Sequence, residues 1–286
     1  MFNSLKIFLH QGKQFIPNIR TAKAPGVFRG RPVISTEKVD EQAFADVCPS
    51  GAISTSPVSI DLGKCLFCGE CERCFPNKVH FTDDTHLATN VRERLIIREG
   101  EDKPIEIDKD AIRPEIRKIF KGSLKLRQVS AGGDGSCEAE LNATGNVQFD
   151  LGRYGIEFAA SPRHADGVLI TGPISANMAK ALELTYEACP EPRVVILDGT
   201  DAISGGMYCG ASPDGGNGGK SAASLDAVRG GNSAASLDGL SGGKSAGSTD
   251  LDRSFLERHP VDLYIPGNPA HPLTVINGIL DLTGRK

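Results

Sequence analysis

The sequence predicts an α/β protein in two parts, a small cysteine-rich α+β unit followed by a larger unit built on a parallel sheet. Three observations predict this. At 286 residues the chain exceeds one average domain. Five of its 8 cysteines fall between Cys48 and Cys74, so one region differs chemically from the rest. From Leu124 onward, short apolar β-rich runs alternate with glycine turns and helical segments.

The first 31 residues carry Lys6, Lys13, Arg20, Lys23, Arg29 and Arg31 and no acidic residue. A transit peptide can share that composition, but Gly26–Ser35 runs straight into the first unit. The apolar run Ile7–Leu9 is also too short for a secretory signal. A basic arm on a membrane surface or a larger partner is the expectation. The formal net charge of -4 leaves no global electrostatic reason to bind nucleic acid, whose affinity rests on neutralised phosphates. No apolar run reaches the roughly 18 residues of a bilayer-spanning helix.

Cys65, Cys68 and Cys71 form C-x2-C-x2-C, and Cys48 stands in a Cys-Pro pair. Cysteines three apart seldom bridge each other, and there is no convincing secretory signal, so metal is favoured over disulfides. Iron–sulfur is favoured over zinc. The spacing with a remote Cys-Pro matches two-cluster bacterial ferredoxins, where the fourth cysteine of each run serves the other cluster. Counting back from Cys48 places the rest of its run at Lys38, Glu41 and Phe44. Counting forward from Cys71 places a remote ligand at Phe75, with Cys74 one residue out of register. One cluster thus lacks every thiolate, and the other keeps Cys48, Cys65, Cys68 and Cys71. One 4Fe-4S cluster is expected, because iron in such a cube needs polarisable, negatively charged sulfur. Gly69 is expected in a tight turn that lets backbone N–H groups approach the cluster.

Residues 99–123 read as a linker, charged and interrupted by Pro104 and Pro114, ending in a short helix over Pro114–Lys121. Strands are then predicted at Ile156–Ala160, Val168–Gly172, Arg193–Gly199 and Asp262–Gly267, with a helix over Ser175–Cys189. In such a sheet the functional edge lies at the carboxyl ends of the strands, which selects the loops 130–141, 171–175, 198–206 and 265–272. Residues 207–250 are Gly, Ser, Ala and Asp with a 12-residue repeat from Gly218, Gly230 and Gly242. They cannot bury enough apolar area to offset chain entropy, and they read as a low-complexity insertion. The GGKS strings at Lys220 and Lys244 lack the strand and helix context of a phosphate loop.

Residues 1–98, through "FRGRP", "CPSGAI" and "LGKCLFCGECERCFP", resemble the ferredoxin-like subunit of complex I and of formate hydrogenlyase-type hydrogenases. Residues 124–286 outside the insertion, through "ADGVLITGPIS", "CPEPRVVILDG" and "DLYIPGNPAHP", resemble the complex I 20 kDa subunit and the small subunit of membrane-bound nickel–iron hydrogenases. The resemblance implies a small ferredoxin-like α+β domain followed by a flavodoxin-like parallel-sheet domain. In the second family four loop cysteines hold one 4Fe-4S cluster next to the large subunit. The matching positions here are Asp134, Cys137, Asp201 and Asn268, so three of four thiolates are missing. Cys189 and Cys209 fall on none of these positions and are expected as buried free thiols.

Two carboxylates and an amide in a cavity shaped for a cluster are costly if dry and unpaired. Water and pairing with lysine or arginine are expected to offset that cost. The sharper alternative is magnesium or calcium on Asp134, Asp201 and the Asn268 carbonyl. Glu138 and Glu140 stand where the family's acids are associated with proton movement, and equally suit a helix surface.

The resemblance implies an electron-transfer subunit of a membrane-associated respiratory complex related to group 4 nickel–iron hydrogenase and NADH-quinone oxidoreductase. It has no catalytic centre of its own. Its implied partners are a hydrogenase or quinone-reductase large subunit and membrane-arm subunits, with no nucleic acid. Its implied place is peripheral, on the cytoplasmic face of the cell membrane. The alternatives are a structural or regulatory subunit whose second domain only docks the large subunit, and a free-standing redox protein fused to a relic domain.

Overall fold

A computed structural model describes residues 2–12, 14–24, 26–209 and 251–285. The repeats and both GGKS strings lie outside the described residues. Helix α1 (Phe2–Gln11) ends at Gly12, whose φ of +66° closes the last turn through Gly12 N donating to Phe8 O. The first unit then runs β1 (Pro32–Ile34), α2 (Glu41–Asp46), β2 (Ile53–Ser54), β3 (Ser59–Asp61), α3 (Glu70–Cys74), β4 (Val79–Phe81) and β5 (Ile96–Arg98). Strands β1 and β4 pair antiparallel, and β2, β3 and β5 form a second antiparallel sheet. Asp40 starts α2 by accepting from Gln42 N and Ala43 N, leaving Phe44 to turn into the core with Val58, Ile60 and Leu62.

The second unit contains α4 (Pro114–Ile119), β6 (Leu124–Ser130), α5 (Ser136–Thr144), β7 (Ile156–Phe158), β8 (Gly167–Thr171), α6 (Ala176–Ala188), β9 (Val194–Asp198), α7 (Thr200–Ser204), α8 (Ser254–Arg258), β10 (Leu263–Ile265) and α9 (Pro272–Thr283). Its five strands are all parallel, in the order β10-β9-β8-β6-β7. In chain order this is the flavodoxin-like arrangement, with its switch point between β6 and β8. The fold class is therefore the expected one. Strands β8 and β9 are buried at every residue, as central parallel strands are. Helix α4 stops two residues before the predicted end, where Phe120 caps it and turns inward. Helix α9 begins on Pro272, with His271 Nδ1 accepting from Leu273 N, and is buried along almost its whole length.

The segment between the units is packed. Arg113 makes a two-pronged pair with Asp262 at 2.8 and 2.7 Å, and Asp262 also accepts from Val195 N. Thr89 and Tyr264 exchange backbone hydrogen bonds of 3.0 and 2.8 Å between the halves. Much of the basic arm turns onto its own chain: Arg20 pairs with Asp281, Lys23 with Asp83, and Arg31 with Asp102. Among the described residues no helix is long and apolar enough to cross a membrane.

Candidate functional site

Cys48, Cys65, Cys68 and Cys71 line one pocket with Ala52, Ile53, Ile60, Leu66 and Phe81. Two pieces of chain deliver them, the turn after α2 and the stretch from Cys65 to Cys71. Cys48 follows α2, held by its own N–H donating to Ala45 O, and its Sγ accepts from Ala52 N at 3.3 Å. Cys65 follows β3, anchored by its N–H on Asp61 O, and its Sγ accepts from Phe67 N at 3.3 Å. Cys68 lies exposed just before α3, and Cys71 is buried within that helix. Gly69 between them has φ +77°, and a Cβ there would meet the Arg29 side chain at 2.5 Å. The turn needs glycine both for its handedness and for that close approach. Arg29 also reaches Phe67 O, at 3.4 Å.

Burial pushes the Cys65 thiol well above its ordinary range, and burial with the neighbouring Cys48 and Cys68 pushes Cys71 up to about 12. Cys68 is raised for the same first reason. The sulfurs sense one another, and thiolates here need a positive charge among them. Cys74 ends α3 exposed and does not line the pocket.

The positions counted for the missing first cluster are occupied differently. Phe44 is fully buried and packs edge to face on Phe75, with ring centroids 5.3 Å apart. Their contact was not foreseeable from the count alone.

At the sheet edge Asp134 is exposed and accepts from Ser136 N and Oγ at 2.9 and 2.6 Å, which lowers its pKa. Cys137 is buried at the start of α5, so close to Gly199 that a Cβ there would stand 2.4 Å from its sulfur. Asp201 is 8% exposed, its Oδ1 has no hydrogen-bond partner, and burial with Asp134 and Glu138 nearby raises its pKa to about 6. Asn268 is half-buried in the loop after β10. The expected pairing with lysine or arginine is not found: among the described residues neither Asp134 nor Asp201 makes an ion pair. Among the described residues, too, no three His, Cys, Asp or Glu side chains gather into a metal-ion site. A cubane makes a different demand, one cysteine for each iron.

Sequence reasoning passed over Asp198, the last residue of β9. It is fully buried, neither carboxyl oxygen has a partner, and burial followed by Glu138 and Glu140 raises its pKa. Its place in an apolar strand run concealed it. Glu138 accepts from Thr171 Oγ1 at 2.7 Å and from Ser130 Oγ, so it is held in place and its pKa is lowered. Glu140 is raised by burial. Cys189 is buried as expected, donating to Thr185 O, whereas Cys209 is exposed because it sits on a turn past α7. Thr200 Oγ1, beside Asp201, donates to Cys65 O at 2.8 Å and joins the two regions directly.

A family model described as NADH ubiquinone oxidoreductase, 20 Kd subunit, matches residues 135–282, just over half of the chain. An NADH-quinone oxidoreductase subunit of Citrifermentans bemidjiense is 31% identical over 146 residues, covering 51% of this chain and 64% of that protein. Its namesake from Desulfovibrio desulfuricans is 36% identical over 121 residues, covering 37% and 63%. The chain thus spans less than two-thirds of the length of these curated relatives. A chain in the structure of the membrane-bound sulfane sulfur reductase, an archaeal respiratory membrane complex, is 26% identical, covering 60% of this chain and 75% of that one at a TM-score of 0.40. The matched span takes in the loops bearing Cys137, Asp201 and Asn268 on a flavodoxin-like sheet, and the chain belongs to the NADH ubiquinone oxidoreductase 20 kDa subunit family.

Proposed function

We propose that this protein is an electron-transfer subunit of a membrane-associated respiratory complex, carrying a single 4Fe-4S cluster on Cys48, Cys65, Cys68 and Cys71. In this reading residues 1–98 are a ferredoxin-like domain fused through residues 99–123 to the 20 kDa-type domain of residues 124–286. The observation that carries it is the convergence of these four cysteines on one apolar pocket. The backbone donors at Ala52 and Phe67 supply hydrogen bonds to sulfur of the kind that tune such centres. When bound, the cluster supplies one-electron chemistry. The chain's own residues exclude water, orient the sulfurs and place Arg29 as a nearby positive charge.

The NADH-quinone oxidoreductase subunits among the relatives support a place beside a quinone-reductase or hydrogenase large subunit, peripheral to the membrane. The loss of thiolates at Asp134, Asp201 and Asn268 supports a narrower role for the second domain. It docks the large subunit and passes no electron through a cluster of its own.

The test is iron and acid-labile sulfide analysis of anaerobically purified protein, with electron paramagnetic resonance of the reduced form. About four irons and four sulfides per chain are expected, with loss of the reduced-state signal in Cys65→Ser. Eight irons, or none, would overturn the assignment.

A further inference from the structure

The groove bordered by Lys121, Arg153, Tyr154 and Arg285 encloses about 680 Å³ and has no acidic residue in its lining. Arg285 is fixed there, donating to Tyr154 O at 2.5 Å and to Phe120 O at 3.1 Å. Asp166 is the acid whose charge reaches Arg285, and it lies outside the lining. Lys121 and Arg153 are exposed. Arg153 donates to Ile16 O at 2.6 Å and lies over the Phe15 ring at 5.4 Å, so the chain following α1 is fastened to the groove's rim.

Helix α1 presents Leu5, Phe8 and Leu9 at 56%, 58% and 72% exposure. Their spacing of three and four puts them on one face, with Lys6 and His10 on another, where Ile7 is also exposed, at 56%. Phe15 and Val147 add apolar surface near the rim, at 41% and 62% exposed. A ten-residue helix is marginal in water on its own, and this one shows water an apolar stripe. The occupant must therefore be apolar in one layer and anionic in the next. The first 31 residues contain no acid that would repel such a surface.

We propose that α1 and the basic groove form one lipid-facing surface. The apolar stripe enters the acyl boundary, and the phosphate of an anionic phospholipid sits among Lys121, Arg153 and Arg285. This rests on the peripheral-membrane placement above, and it is tested apart from it.

The experiment is flotation of the purified full chain with vesicles of phosphatidylglycerol in phosphatidylcholine, against phosphatidylcholine alone. Wild type is expected to float with the anionic vesicles only, and to be released as salt rises. Lys121→Gln combined with Arg153→Gln is expected to weaken capture about thirtyfold, from two lost bases. Leu5→Glu combined with Phe8→Glu is expected to abolish capture, with melting curves reporting that both variants remain folded. No flotation, equal capture by neutral vesicles, or unchanged capture by either folded variant would overturn the proposal. Tight binding of inorganic phosphate without flotation would assign the groove to a soluble anion and overturn the lipid surface. Membrane association seen only in company with other subunits would leave the placement standing and reject this surface.

Discussion

Phe44 and Phe75 stand where a two-cluster cysteine pattern would place thiolates, and they close that space with an edge-to-face aromatic contact inside the core. At the sheet edge, Asp201 stands where the resemblance implies a thiolate and Asp198 three residues before it, and both are buried with unpartnered oxygens. The first exchange adds apolar burial. The second leaves carboxyls that cost free energy to bury. On the proposed reading, replacement of ligands takes two physical forms in one chain, and only one of them stabilises the fold. The halves also differ in countercharge, since Arg29 sits beside the thiol pocket while no ion pair reaches Asp198 or Asp201 among the described residues.

The largest effect expected from this contrast is at Phe44. Phe44→Ala removes a fully buried ring and its contact with Phe75, for a loss of about 3–5 kcal/mol. The apparent melting temperature is expected to fall by roughly 10 °C. A fall of only a degree or two would mean that the aromatic pair merely occupies space.

The acids are expected to act in the opposite direction. The Asp198 carboxyl holds its proton to higher pH in the folded chain than in the unfolded one. Its contribution is complete below the ordinary carboxylate range and is lost as pH rises through the folded value. Asp198→Asn should therefore flatten the decline of stability above about pH 4 and gain on the order of 2 kcal/mol near pH 8. For Asp201, with its pKa raised to about 6, the decline is spent by neutral pH. Asp201→Asn should alter the melting profile between pH 4 and 7 and leave its slope above pH 7 unchanged. Profiles parallel to wild type for both variants would show that these acids are paired in solution, and the contrast with Phe44 would collapse.

Which parts of this were legible in the sequence follows from what each signal encodes. The cysteine register is local spacing, and it named the four residues that share the pocket. The continuous apolar runs of β8 and β9 and the amphipathic period of α6 lie within a residue or so of their observed ends. Helix α9 was harder to read because its polar side, Thr274, Asn277 and Asp281, is narrow and only Asp281 reaches solvent, the rest of the helix being buried. Strand β6 was legible in the alternation of LKLRQVS and was overlooked. Arg29 over Gly69 and Thr200 on Cys65 join residues 40 and 135 positions apart, so no local pattern could announce them. Asp198 escaped for a related reason: a single acid ending an apolar run resembles a solvent-facing strand end until the burial is seen.

The countercharge difference predicts a smaller, spectroscopic effect. A guanidinium beside the pocket favours the more negative, reduced state of a bound cluster, so Arg29→Gln should lower its midpoint potential. The expected size is on the order of tens of millivolts, because the side chain is only half-buried and screened by solvent. Redox titration followed by electron paramagnetic resonance measures it directly. An unchanged midpoint with full iron content would leave Arg29 as a clasp for the Gly69 turn and remove electrostatics from the comparison.

The smallest effect is expected at Cys74, three residues past Cys71 on the same short helix. If thiolate supply alone decided retention, Cys74 could substitute for a neighbour or recruit iron of its own. Its exposure and its absence from the pocket lining say otherwise, because Cys74, although on the same side of the helix as Cys71, is the last residue of α3 and sits one turn beyond the pocket. Cys74→Ser is therefore expected to keep the iron content and the reduced-state spectrum of wild type, while Cys71→Ser loses both. Iron loss in Cys74→Ser would show that the helix shifts by a turn when the cluster is bound. The register counted from Cys48 would then no longer separate the retained site from the one that Phe44 and Phe75 fill.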